Sequence, residues 1–305
     1  MTRIRAFLSL TIIGAGWGAT VPLNKMAVQD GHGHFGLVFW QLTLGALVLG
    51  LYQLFRRRPF PITRKTLLFC LFIGLIGTVI PNSVSSQAAF HLPAGVMALV
   101  IALVPMVAFP IALAMGNDRF SGRRLIGLTL GLFAMALIAL PEASLPAGTA
   151  AIWVVIALFA PTCYAVEGNS VARFGTFGLG PIQTLFGASV LGAIVAFPLA
   201  VGSGQFIVPS WPLHRDDLAL IALSVIHACV YSGYVWLVGR TGAVFATQVA
   251  YLVTGFGVLW SMVFLAERYP VTIWFAFGLL MLGLSLVQPR LAEPRSATDD
   301  GPQSA

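Results

Sequence analysis

Ionisable side chains are rare inside the long apolar stretches of this sequence, and two of them have the chemistry to carry protons. Glu167 lies in the short polar run 167–170, and His227 lies midway along another apolar stretch. An ionisable group inside a membrane segment marks a substrate or proton pathway more often than a packing role. We therefore take Glu167 and His227 as candidates for proton coupling. The alternatives are that Glu167 pairs with Arg173 at the membrane interface and that His227 is a hydrogen-bonded structural residue.

Polar uncharged and aromatic residues recur at helical spacing in three of the apolar stretches. A spacing of i, i+4 and i+7 places side chains on one helix face. Such a face is costly against lipid, so we expect it to line a central cavity for an amphipathic solute. The alternative is interhelical hydrogen bonds that only hold the bundle together. The predicted cavity residues are Trp17, Asn24, Thr78, Asn82, Ser85, Ser86, Tyr164, His227, Tyr231, Tyr234, Thr247, Gln248, Tyr251 and Thr254.

The sequence contains no arrangement typical of catalysis or of metal binding. It has no Gly-x-Ser-x-Gly, no phosphate-binding loop and no carboxylate cluster with metal-ligand spacing. Cys70, Cys163 and Cys229 are far apart within apolar stretches and are interpreted as small packing residues. We predict no enzyme activity, no metal and no cofactor. The rival from that class is a polytopic membrane enzyme that acts on lipid.

The elements that must position these residues are membrane-spanning helices. Of 305 residues, 58% are apolar and 9% are charged, whereas soluble domains carry about 25% charged residues. A helix crosses the ~30 Å hydrocarbon layer with about 20 residues. Runs of this length predict an all-α integral membrane protein with ten transmembrane helices, approximately at 6–26, 36–55, 67–89, 94–115, 123–141, 149–172, 181–202, 218–239, 243–265 and 271–289.

The basic residues predict the orientation of these helices. With the N-terminus inside, 14 of the 17 Lys and Arg residues lie in cytoplasmic segments, and only Lys25, Arg215 and Arg268 lie outside. Cytoplasmic loops are enriched in Lys and Arg, so both termini are expected in the cytoplasm and the chain in the plasma (inner) membrane. The same bias accounts for the net charge of +7 without a nucleic-acid partner. Residues 291–305 are predicted to form a disordered cytoplasmic tail.

A triplet of acid, arginine and aromatic residue follows the fourth and the ninth run. It reads Asp118-Arg119-Phe120 and then Glu267-Arg268-Tyr269, from position 118 to position 267, an offset of 149 residues. A fixed offset of nearly half the chain indicates an internal repeat. Because five spans is an odd number, the second half enters the membrane from the opposite side. We predict two inverted five-helix repeats, at residues 1–141 and 149–290. The alternative is two unrelated helix ends, each closed by an ion pair.

Two five-helix halves, the acid–Arg pair after the fourth helix of each, and Trp17-Gly18 in the first helix resemble the drug/metabolite transporter superfamily, EamA-like family. The resemblance covers residues 6–289. Pro105 matches the family's proline in the fourth helix, whereas Thr254 stands at the corresponding position of the second half, and the first acid is Asp118 instead of Glu. The resemblance implies a ten-helix carrier that moves a small organic solute, often outward, through a central cavity.

These features together predict a secondary transporter that exports small amphipathic metabolites, amino acids or related compounds, by alternating access. The alternatives are drug or toxic-compound efflux, metabolite import by the same fold, and a passive channel. The expected partners are the substrate and the lipid bilayer. Gly127-x-x-x-Gly131 permits close helix contact, either inside the chain, which we prefer, or in a homodimer. Lys25 lies near the end of a span, so we expect it to anchor that end at the interface.

Overall fold

A computed structural model describes residues 2–29, 31–57, 59–139, 151–208, 211–241 and 249–287. The regular secondary structure within these ranges is helical. We count a helix with one irregular turn as a single element. The labels are α1 (Arg3–Gln29), α2 (His34–Phe55), α3 (Arg64–His91), α4 (Ala94–Ala114), α5 (Gly122–Ala139), α6 (Ile152–Phe174), α7 (Pro181–Gly202), α8 (Arg215–Thr241), α9 (Val249–Leu265) and α10 (Val271–Leu286).

Most of these helices have the length and composition of membrane spans. Among the described residues, seven helices are long and apolar enough to cross a bilayer, namely α1 to α4 and α6 to α8. The described parts of α9 and α10 are apolar but shorter. The predicted tail, residues 291–305, lies outside the described residues. The chain is therefore an all-helical, multi-pass membrane protein, and its helices coincide with the predicted apolar runs.

Proline residues disturb three of the helices in two different ways. In α3, Leu75–Val79 form a π-helical turn just before Pro81. Proline has no N–H to donate, and its ring collides with the carbonyl four residues back. The wider turn absorbs both effects, so α3 continues through Pro81. The helices α4 and α6 instead have short irregularities, at residues 102–103 and at residue 158, two to three residues before Pro105 and Pro161.

The principal helix contacts join the first five helices to the last five. The helix α1 packs against α8 and α9, and α6 packs against α3 and α4. The pairs α2–α7, α4–α9 and α5–α10 form further contacts, together with α2–α8 and α3–α7. The largest group of buried apolar residues accordingly draws on both halves of the chain, from Val21 to Val287. This core joins the described helices except α7, which packs in two smaller clusters with α2 and α3.

Glycine residues allow the helices of several pairs to approach closely. A Cβ at Gly18 of α1 would lie 2.8 Å from the backbone nitrogen of Gly257 in α9. A Cβ at Gly127 of α5 would lie 2.6 Å from the carbonyl oxygen of Gly283 in α10, and Gly131 faces α4. The pair Gly127 and Gly131 therefore packs inside the chain, which is the first of the two uses considered from the sequence.

A single methyl group tests the contact between α5 and α10. The Cβ of Gly283→Ala would lie 2.8 Å from the Gly127 carbonyl oxygen and 2.8 Å from Met106 Cε. We expect a loss of stability of about 1–3 kcal/mol, the usual cost of overpacking. The matched control is Gly278→Ala in the same helix, where no atom lies within 4 Å of the added Cβ. Apparent melting temperatures in detergent measure the difference, and equal values for both variants would contradict the close contact.

Candidate functional site

Asn82 of α3 is the centre of a hydrogen-bonded chain that crosses three helices. Its Oδ1 accepts a hydrogen bond from the Tyr164 hydroxyl of α6 at 2.8 Å, and its Nδ2 donates to Gln41 Oε1 of α2 over 3.5 Å. One turn further along α3, Ser86 Oγ donates to Asn24 Oδ1 of α1 at 3.0 Å. The structure thus brings four predicted cavity residues of three helices into one region. Gln41 joins them without having been predicted.

Trp17 of α1 contacts three rings of α8. Its ring centroid lies 5.8 Å from that of His227, 6.4 Å from that of Tyr231 and 5.7 Å from that of Tyr234, and each pair is arranged edge to face. This geometry is the favoured one for aromatic pairs. The three α8 residues share one face, as their spacing predicts, and that face points at α1.

The carboxylate of Glu167 lies in the bundle interior between α3, α6 and α8. A Cβ added to Gly77, in the π-helical turn of α3, would lie 2.5 Å from Glu167 Cδ. Its charge also interacts with the side chains of Tyr164 in α6 and Tyr231 in α8. Within the described part of the chain, Glu167 has no hydrogen bond or ion pair. Arg173, the partner considered from the sequence, is exposed.

Other predicted cavity residues make local or apolar contacts instead. The hydroxyls of Thr78 and Thr254 each donate to the carbonyl four residues back in their own helix, and Thr254 is buried. Tyr251 packs against the large apolar core, and Ser85 is partly buried. The hydroxyls of Thr78 and Thr254 are therefore satisfied within their own helices. Two predicted residues, Thr247 and Gln248, lie outside the described residues.

A pocket at the protein surface lies away from the predicted cavity residues. It opens between α2 and α7, and Gln53 of α2 contributes to its wall. Both polar atoms of the Gln53 side-chain amide are buried and have no hydrogen-bond partner in the described ranges. None of the predicted cavity residues lines this pocket. Its lining consists of Gly50, Gln53, Leu54, Arg57, Pro59, Phe60 and Phe186.

The acid of each repeated triplet binds the start of a helix. Asp118 forms a salt bridge with Arg124 of α5 and accepts a hydrogen bond from the backbone N–H of Arg119 at 2.7 Å. Glu267 accepts hydrogen bonds from the backbone N–H groups of residues 94 and 95, at 2.9 and 3.2 Å, in the first turn of α4. Arg119 and Arg268 themselves are exposed. The structure therefore gives each acid a partner other than the arginine side chain beside it.

Lys25 and Glu267 bind the turn between α3 and α4 from opposite sides. Lys25 Nζ donates to the carbonyl oxygens of Ala89 at 2.8 Å and Leu92 at 2.5 Å. Helix C-termini attract cations and N-termini attract anions, and the two side chains also attract each other. Lys25 is only 7% exposed, so the expectation that it anchors α1 at the membrane interface is wrong. It joins α1 to the end of α3.

Tyr269 completes this cluster at the start of α4. Its hydroxyl donates to Glu267 and accepts from the Gly95 N–H at 3.0 Å. Burial, followed by the hydrogen bond to Glu267, raises the pKa of Tyr269 above its ordinary value. The hydroxyl therefore remains a donor. A Cβ at Gly95 would collide with it, which explains the glycine at this position. We define Lys25, Glu267, Tyr269 and residues 94–95 as the α4 cap cluster.

A second charged cluster joins the loop after α1 to the first turn of α8. Nε2 of His32 lies 2.8 Å from Asp216 Oδ2 and 3.1 Å from Asp217 Oδ1. Both aspartates are buried, and the three side chains offer ligand atoms close enough together for a metal ion. The expectation that the chain holds no such cluster was wrong. His32 and Asp217 are 185 residues apart, so their spacing carried no metal-site signal.

Long apolar helices that keep polar side chains between them define the chain as a polytopic membrane protein. The chain belongs to the EamA-like transporter family, whose family model matches residues 4–140 and again residues 151–288. The family resemblance noted in the sequence is thereby confirmed. Family membership identifies the chain as a transporter.

One curated relative and one solved structure extend over nearly the whole chain. The probable terminal-alkyne amino-acid exporter of Streptantibioticus cattleyicolor is 24% identical over 314 residues, which are 99% of this chain and 99% of the relative. A solved crystal structure matches with a TM-score of 0.61 and 17% identity, covering 93% of this chain and 96% of that one. At this identity the structural likeness shows a shared fold.

The α4 cap cluster gives a stability prediction. Glu267→Ala removes the acceptor of two backbone N–H groups and leaves Lys25 without its anion. Leaving a buried N–H group without its acceptor costs about 1–3 kcal/mol. The matched control is Arg268→Ala, an exposed neighbour, which should stay within about 0.5 kcal/mol of the unmodified protein. Thermal unfolding in detergent measures both. If the two variants melted together, Glu267 would not hold this turn.

Proposed function

We propose that this protein is a secondary transporter of the plasma (inner) membrane that exports small amphipathic metabolites, amino acids or related compounds, by alternating access. Membership of the EamA-like transporter family carries the proposal. Export and the cargo class are supported by the relative named as a probable terminal-alkyne amino-acid exporter. Hydrogen-bonding groups beside aromatic rings, between α1, α3, α6 and α8, have the chemistry that an amphipathic cargo requires.

Ten membrane crossings in two inverted halves would provide the two access states. The family model matches the two halves separately, which supports a repeat. The helix contacts support it too. If each helix is replaced by its equivalent in the other half (α1 by α6, α2 by α7, and so on), the contact α1–α8 becomes α6–α3, which is also observed. In the same way α1–α9 becomes α6–α4, and α2–α8 becomes α7–α3. The contacts α2–α7, α4–α9 and α5–α10 map onto themselves. Inverted repeats alternate access by rocking one half against the other. The bias of basic residues supports an orientation with both termini in the cytoplasm.

Untargeted mass spectrometry of the culture medium tests export. Cells that express the intact protein are compared with cells that express Trp17→Ala/Tyr231→Ala at the same membrane level, because the two rings are in contact at 6.4 Å. We expect one chemical class of metabolite to be enriched only with the intact protein. A medium that does not differ would contradict export of a host metabolite and favour the importer. Saturable flux with counterflow in liposomes would then distinguish a carrier from a channel.

We further propose that protons drive the transport through Glu167 and His227. The described residues place no cation beside the Glu167 carboxylate, and the titratable side chains near it are Tyr164 and Tyr231. In low-dielectric surroundings a proton is the smallest ion that can neutralise it. The measurement is the ratio of flux with an imposed pH gradient to flux without one.

In the double variant Glu167→Gln/His227→Gln this ratio should fall to about 1, because neither amide can release a proton at ordinary pH. The two single variants show which residue carries the effect. A ratio unchanged in the double variant would exclude both as the coupling residues.

A further inference from the structure

The charges of the described residues are balanced at the helix ends and unbalanced at Glu167. Lys25 is held by carbonyl oxygens at the end of α3 and by the charge of Glu267. Arg124 is paired with Asp118. No described cation interacts with Glu167, and an uncompensated ion of this kind costs several kcal/mol when taken out of water. Its natural complement is a positive charge that comes from outside the protein.

The surroundings of Glu167 favour a cation that carries hydrogen-bond donors. The Tyr164 hydroxyl already donates to Asn82, so it can only accept from a ligand. Tyr231, which Trp17 contacts, contributes an aromatic face of the type that attracts cations. A primary ammonium has three N–H donors and no acceptor. Gly77 has no side chain, so the backbone of α3 lies directly against the carboxylate, where a Cβ would collide with it.

Among the described residues near Glu167, no basic side chain is placed to bind the carboxylate end of an amino acid. A cargo carboxylate requires Arg, Lys or a cluster of N–H donors for strong binding. The predicted cavity residues include no Arg or Lys, and Lys25 is engaged at the end of α3. Because the region offers a carboxylate but no basic side chain, we expect the protein to select its cargo by the amine and not by the carboxylate.

We propose that the Glu167 carboxylate binds the ammonium group of the cargo and that the cargo needs no carboxylate. The substrate class is then amphipathic primary amines, of which amino acids are one part. The inference rests on the proposed transport function, since it assigns cargo recognition to the same interior region. The coupling proton and the cargo ammonium would occupy this carboxylate in turn.

Three compounds that differ only in their charged ends test the assignment. Proteoliposomes that contain the full chain are loaded with phenylalanine, phenylalaninamide or N-acetylphenylalanine, and efflux is measured by mass spectrometry. We expect saturable efflux of phenylalanine and its amide, and at least a tenfold lower rate for the N-acetyl compound, which has no ammonium. Glu167→Gln should lower efflux of the first two compounds at least tenfold, and Glu167→Asp should lower it less because the charge remains.

The matched control is Thr162→Val in the same helix. The Thr162 hydroxyl donates to the Leu158 carbonyl of its own helix at 2.9 Å, so its removal should leave efflux of all three compounds unchanged. Size-exclusion profiles and melting temperatures establish that each variant is folded. Glu167→Gln should melt no lower than the unmodified protein, because it removes a buried charge that has no partner.

Each outcome separates the ammonium assignment from the transport proposal. Efflux of N-acetylphenylalanine at the rate of phenylalanine, or an unchanged preference in Glu167→Gln, would overturn the assignment and leave amino-acid export standing. Efflux of the amide without phenylalanine would support the assignment and overturn amino-acid export. If none of the three compounds left the proteoliposomes in a protein-dependent way, both would be overturned.

Discussion

The cost of an unpaired polar group in apolar surroundings governs this structure. No water is available in a hydrocarbon layer, so backbone N–H and C=O groups must bind each other, and the described elements are accordingly helices. The same cost explains why the hydroxyls of Thr78 and Thr254 donate to carbonyl groups of their own helices. It also explains why the Asn82 amide forms hydrogen bonds with Tyr164 and Gln41. It also explains the π-helical turn before Pro81, which accommodates a residue without an N–H.

Charged residues obey the same constraint, with Glu167 as the exception. At the start of α4, the helix dipoles, Lys25 and Glu267 compensate one another, and Tyr269 adds a further hydrogen bond. The aspartates at the start of α8 lie within hydrogen-bond distance of His32. These clusters join segments that are distant in the sequence and hold helix ends in place. Glu167, in the interior, has no cationic partner among the described residues. Its carboxylate is therefore available to a ligand from outside the chain.

The close contacts of α1 with α9 and of α5 with α10 interlock the two halves. Glycine residues on the contact faces bring the helix backbones together, and a methyl group at Gly18 or Gly127 would collide with backbone atoms of the partner helix. The largest apolar core also takes side chains from both halves. A relative movement of the halves would therefore pass through these contacts.

The sequence by itself determined the helices, because the length of an apolar run is a local property that the bilayer thickness dictates. It also determined the family and the shared face of His227, Tyr231 and Tyr234, since helical periodicity is local as well. Only the tertiary structure decided which faces meet. It placed Gln41 beside Asn82, kept Thr254 buried with a bond to its own helix, and brought His32 to Asp217 across 185 residues. Contacts between distant segments depend on how whole helices pack, and no short stretch of sequence records that packing.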